Sequence, residues 1–136
     1  EARLGHEEMG KENHIFSPAY KEEEFDEIVS LCDHIVFNSF SQLEKFKSKV
    51  LNAGKSIGIR INPEHSTQKG PAIYDPCSPG SRLGVTLENF RQDMLDGVSG
   101  FHFHTLCEQN SDALISTVEA VEKKFGKCLL LQRVIA

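Results

Sequence analysis

Two short stretches, SIGIRIN (56–62) and GFHFHT (100–105), alternate strictly between apolar and polar side chains. Strand side chains point to opposite faces with a period of two, so Ile57, Ile59 and Ile61 share one face, while Gly58, Arg60 and Asn62 share the other. Phe101 and Phe103 likewise oppose His102 and His104. One face of each strand is therefore wholly apolar and the other carries cations and hydrogen-bonding groups. Further strands are expected at HIFSPAY (14–20), HIVFNS (34–39) and the terminal CLLLQRVIA (128–136), and the two alternating runs extend to 56–63 and 100–107.

Between the strands the apolar period changes to that of a helix. Phe25, Ile28, Val29 and Cys32 follow the i, i+3, i+4, i+7 spacing of one helix face, and so do Leu43, Phe46 and Val50. The second helix is expected to open at Ser41 with Glu44 as its capping-box partner and to close at Gly54. A later helix with Leu114, Val118, Val121 and Phe125 on one face is expected to begin at Ser111 or Asp112 and to stop at Gly126. EARLGHEEMG reads as the end of a helix closed by Gly10. Strands alternating with helices define an α/β chain with a parallel sheet. Within it, 64–86 is a long loop rich in proline, followed by a short helix with Thr86 as N-cap and Leu87, Phe90 and Met94 on its face. Loops of this length in compact domains usually carry function, and in barrels they cover the active face.

Composition excludes several classes of partner. With a net charge of -5 and its charges interspersed, the chain has no basic footprint for nucleic acid or an anionic membrane. No apolar run reaches the roughly 18 residues of a membrane span, which predicts a cytoplasmic protein. Cys32, Cys77, Cys107 and Cys128 form no CxxC pair and are expected as reduced thiols.

In a barrel the apolar strand faces would pack on outer helices, leaving Arg60, Asn62, His102 and His104 toward the lumen near the carboxyl ends of their strands, where barrel enzymes bind ligands. Each also has a plain structural reading. Arg60 could close an ion pair, His102 could be a hydrogen-bonded layer residue beneath the site, and Cys107 could be a small buried hydrophobe. The pair His102 and His104, followed by Cys107 and Glu108, can also be read as metal ligands of a barrel hydrolase.

Taken in order, KENHIFSPAYKEEEFDEI, CDHIVFNSFSQLEKF, GKSIGIRINPEHST, YDPCSPGSRLGVT and GFHFHTLCEQNSDAL resemble the carboxynorspermidine (carboxyspermidine) decarboxylases, up to about Lys127. These are similar to alanine racemase and ornithine decarboxylase. The resemblance implies a (β/α)8 TIM barrel that binds pyridoxal 5'-phosphate, with residues 1–136 as a fragment of that one domain, about its third to seventh strands. A second β-rich domain, the lysine that carries the cofactor and the glycine-rich phosphate loop would lie outside the chain. The whole protein would be a homodimer of polyamine biosynthesis that releases carbon dioxide from a carboxylated triamine, leaving norspermidine or spermidine, and the fragment would be inactive alone. The resemblance assigns His104 to stacking on the pyridine ring and Arg60 to the cofactor's phenolic oxygen. It assigns Cys107 to the cofactor phosphate or hydroxyl region and Arg82 to the dimer contact. Other readings are a decarboxylase of the diaminopimelate or ornithine type, the metal-dependent hydrolase, and a non-catalytic interaction protein.

Overall fold

The structure, a computed structural model, describes residues 1–128 and the backbone of 129 and 133–135. It is built of parallel strands β1 (His14–Ser17), β2 (His34–Phe37), β3 (Ser56–Arg60), β4 (Gly100–His102) and β5 (Arg133–Ile135), hydrogen-bonded in the order of the chain. Helices α2 (Glu22–Leu31), α3 (Phe40–Asn52) and α4 (Ser111–Leu129) connect them, after a short α1 (Ala2–Leu4) that runs on as a π turn to Met9. Gly10 then closes that turn with φ 58°, the left-handed cap expected of it.

One hydrophobic core joins the helices to a single face of the sheet. Phe25, Val29, Leu43, Phe46, Val50, Val121 and Phe125 meet Ile35, Phe37, Ile57, Ile59 and Phe101 there. The rings of Phe25 and Phe46 stack 4.0 Å apart, and Phe37 lies against both. Because every crossover packs on the same face, successive strands advance one way around an axis. That is the winding of a (β/α) barrel, whereas a doubly wound sheet would bury both faces under helices. The opposite face holds Phe16, Val36, Arg60 and His102, as the alternation of the strands requires. The α/β barrel expectation is borne out at this level.

Several boundaries differ from those the sequence suggests. Helix α3 is capped by Ser39, whose hydroxyl accepts from Gln42 N, while Gln42 Oε1 accepts from Asn38 N. The Ser39-Gln42 pair thus supplies the cap, two residues before the expected Ser41-Glu44 box. Helix α4 runs through Gly126 to Leu129, since a glycine costs a helix only about 1 kcal/mol and the half-buried Cys128 adds packing on the core. Its buried line is Ala113, Thr117, Val121 and Phe125, four residues apart, with Leu114 and Val118 more than a third exposed. Thr117 can stand in that line because its hydroxyl donates to Ala113 O at 2.9 Å. The helix expected after Thr86 is instead a pair of turns and a 3-10 turn at Gln92–Met94. Of the expected terminal strand, Cys128 and Leu129 belong to α4, and 130–132 and 136 lie outside the described residues.

The strands are also shorter than their apolar runs, because pairing partners run out. Beyond Arg60, β3 turns to the long loop: Val85 N donates to Arg60 O, and Asn62 N donates to Val85 O, each at 2.8 Å. After Ile61 N reaches His102 O, β4 has no further ladder on that side. His104 and Cys107 therefore sit on a loop past the strand end. Pro18 and Pro63, which have no backbone N–H to give, bound β1 and the β3 run in the same way.

Candidate active site at the carboxyl ends of the strands

Arg60 ends β3 and is only 5% exposed. Its guanidinium lies over the Phe16 ring, 4.6 Å from the centroid, and one Nη donates to His104 O at 3.3 Å. No carboxylate pairs with it among the described residues, so the structural ion pair weighed above is absent. Burial accordingly holds its pKa below the usual arginine value. A desolvated cation resting on a π face is costly to maintain unless an anion completes its environment.

That cation lines a cavity of ≈ 720 Å³ together with Arg82, His104 and Cys107. The four residues to which the resemblance assigns roles thus converge on one space, within the size range of small-molecule sites. Its apolar side is formed by Ile73, Tyr74 and Leu83, of which Ile73 and Tyr74 stand well out of the surface. His104 and Cys107 are exposed, so Cys107 is no buried hydrophobe. All four cysteines are free thiols.

Two asparagines hold the loop over the cavity. Asn38 Nδ2 donates to Arg82 O at 2.8 Å, and its Oδ1 accepts from Gly84 N at 2.7 Å. Asn62, buried at the end of the β3 run, donates to Leu83 O and accepts from Glu64 N. Asn62 is thus a loop clamp and not a ligand-facing group. Neither Asn38 nor Phe16 was legible as a site residue, because their roles depend on segments 44 residues away in sequence. Glu108, next to Cys107, adopts φ 54° and also lines the cavity. A non-glycine residue in this conformation is uncommon and concentrates at functional turns.

His102 lies one layer below. It stacks on Phe16 at 5.7 Å, its Nδ1 is buried with no hydrogen-bond partner among the described residues, and it does not line the cavity. Among the described residues it joins no cluster of metal-ligating side chains with His104. Burial, with smaller contributions from the charges of Arg60 and His104, pushes its pKa down to about 4. This has a measurable consequence. Between about 6.5 and 4 the unfolded chain takes up a proton that the folded protein refuses, so stability falls as pH drops through that window. Urea midpoints of the full-length protein at pH 7 and pH 4.5 should differ more than those of His102→Gln; equal differences would refute the assignment.

A one-sided parallel β/α sheet with a cavity at its carboxyl ends, lined by Arg60 and Arg82 and by Asp75 and Glu108, defines the class as part of a (β/α) barrel, with the cavity where such barrels place their ligands. No family model matches the chain. Individual proteins do. It is 45% identical over 127 residues to the carboxynorspermidine/carboxyspermidine decarboxylase of Campylobacter jejuni, covering 93% of this chain and 32% of that protein. It is 40% identical over 129 residues to the carboxyaminopropylagmatine decarboxylase of Synechocystis, covering 95% of this chain and 33% of the relative. The crystal structure of the Campylobacter jejuni carboxynorspermidine decarboxylase complexed with norspermidine superimposes with a TM-score of 0.77 at 42% identity, over 93% of this chain and 31% of that one. The chain spans about a third of the length of the relatives it matches. Among the described residues, no helix is long and apolar enough to cross a membrane.

Proposed function

We propose that this chain is part of the barrel domain of a decarboxylase of polyamine biosynthesis that uses pyridoxal 5'-phosphate and acts as a homodimer. The substrate class is a polyamine ending in an α-amino acid, from which carbon dioxide is lost. Carboxynorspermidine and carboxyspermidine are the first candidates, and the Synechocystis relative adds carboxyaminopropylagmatine. The observation that carries this reading is the convergence of Arg60, His104, Cys107 and Arg82 on one cavity. The alternatives of a metal-dependent hydrolase and a diaminopimelate- or ornithine-type decarboxylase are not favoured by the relatives.

The residues present fit an anionic aromatic cofactor. Arg60 is a buried cation without an anion among the described residues, and His104 is a flat ring at the cavity wall. When bound, pyridoxal phosphate supplies an electron sink for the pair left by departing carbon dioxide. Arg60 offers a permanent positive charge at a fixed place, because Phe16 and the His104 carbonyl hold the guanidinium before any ligand arrives. His104 fixes the plane of a ring laid against it. Cys107 offers a thiol, a weak donor, to the cofactor's oxygen atoms, and Arg82 offers a cation on the loop that Asn38 pins, at the dimer contact. The cavity's exposed Ile73 and Tyr74 suit the methylene chain of a polyamine.

Borohydride reduction of the full-length protein loaded with pyridoxal phosphate should label one lysine, and His104→Ala should weaken cofactor binding by roughly tenfold, the scale of one lost aromatic stack. A protein that gives no labelled lysine would fail the cofactor assignment. Unchanged cofactor absorbance and turnover in His104→Ala would instead fail the role of that histidine.

A further inference from the structure

The opposite end of the sheet carries a second group of side chains. Glu12 and His14 stand two residues apart on one side of an extended segment, and β1 pairs with β2 so that His14 lies directly beside His34. The two imidazoles stack with centroids 4.0 Å apart and planes 20° from parallel. Glu12 Oε2 faces both, 3.7 Å from His14 Nε2 and 3.6 Å from His34 Nε2, and the three ligand atoms all lie within 4.8 Å of one another.

The backbone beneath them is fixed. Asn13, between Glu12 and His14, accepts from both Asp33 N and His34 N through its carbonyl oxygen, while its own N–H donates to Asp33 Oδ2. Its side-chain amide donates to Ala2 O and Leu31 O, and Lys55 neutralises Asp33 at 3.1 Å. One asparagine therefore ties the stretch bearing two of the groups to the stretch bearing the third. Glu12 and His14 are exposed and His34 half-buried, so solvent reaches the cluster.

We infer that Glu12, His14 and His34 form a binding site for a borderline divalent cation of the Zn2+ and Co2+ type. Two imidazole nitrogens with one carboxylate select such ions over Mg2+ or Ca2+, which prefer all-oxygen surroundings. Around tetrahedral zinc, neighbouring ligand atoms are about 3.3 Å apart, as bonds of about 2.0 Å to nitrogen and oxygen require. The two Glu12 distances need to close by a few tenths of an ångström, and the stacked imidazoles must turn about their side-chain bonds so that both Nε2 lone pairs, which lie in the ring planes, meet at the ion. Three protein ligands leave a fourth position for water. The site lies at the amino ends of β1 and β2, whereas the cavity lies at the carboxyl ends. The bound ion pins these two strands together and takes no part in decarboxylation.

Titration of the metal-stripped full-length protein with Co2+ tests this directly. We expect a visible absorption band saturating at one equivalent per chain, and a Tm raised by Zn2+ but not by Mg2+. Glu12→Gln and His14→Ala should each weaken Co2+ binding at least about tenfold, since even outer-sphere changes at metal sites cost about 10- to 100-fold. Co2+ uptake that is absent, or unchanged in both variants, overturns the site. So does equal protection by Mg2+. None of these readouts depends on the cofactor or on turnover, so this site and the proposed decarboxylase stand or fall separately.

Discussion

In the full-length protein, Arg60→Met is expected to lower kcat/KM toward a carboxylated triamine by about 100-fold or more, while leaving the urea midpoint unchanged or raised. The two halves of this prediction have opposite origins. In the folded chain the guanidinium is desolvated and has no carboxylate partner among the described residues, so it is held against a continuing electrostatic cost. Methionine fills a similar volume, keeps contact with the Phe16 ring and removes that cost. Loss of a fixed charge aimed at a bound anion, by contrast, typically costs about 10² to 10³ in rate. Arg60→Lys should fall between, because an ammonium cannot spread flat on Phe16 and reach His104 O in the same way. Steady-state kinetics and urea unfolding on the same preparations decide the matter. If Arg60→Met loses stability in proportion to activity, the arginine is a structural residue and its placement at the site is wrong.

Gly84→Ala is expected to destabilise the protein by about 2 to 4 kcal/mol, by combining backbone strain with a steric clash. At φ +84° a side chain is strained, and an added Cβ would stand 2.9 Å from Ile61 C, 3.0 Å from Ile61 O and 3.1 Å from Arg60 Cγ. Those neighbours are backbone and the root of the buried arginine, so they cannot swing aside. Gly84 also donates to Asn38 Oδ1 and adjoins Val85, which bridges to Ile61. The substitution should therefore lift the whole loop from the strand end and lower kcat/KM as Arg60 shifts. Gly80→Ala is the control. It has nearly the same backbone angle, φ +80°, but open space around its Cβ, so strain alone should cost it about 1 to 2 kcal/mol. Equal urea midpoints for the two variants would show that the close approach at Gly84 does not matter.

Much of the architecture was legible because its signals are local and repeated. The helix face Leu43, Phe46 and Val50 is buried as its spacing requires. In SIGIR, Ile57 and Ile59 enter the helix-side core while Arg60 takes the other face. Caps and strand ends were less legible because they are decided by competition. Ser39 and Ser41 are both acceptable N-caps, and Ser39 wins because Gln42 is placed to bond back to Asn38. GFHFHT alternates through His104, yet pairing stops at His102, because after Ile61 N the chain of β3 gives β4 no further partner and its other edge, at Arg60 and Asn62, turns to Val85. For α4, Leu114 and Val118 match the helical spacing, but the side the helix turns to the sheet is set by which neighbours meet it.

The sequence by itself determined the alternation of strands and helices, the apolar faces, and the placing of Arg60 and His102 on the polar side of their strands. These follow from side-chain periodicities of 2 and 3.6, which any chain carries in its order of residues. Only the tertiary structure decided that Arg60 rests on Phe16, that Asn38 and Asn62 hold Arg82 and Leu83 over the same cavity, and that His14 lies beside His34. Those contacts join segments far apart in the chain. They exist only once the sheet register and the path of the long loop are fixed together, and no local pattern encodes both.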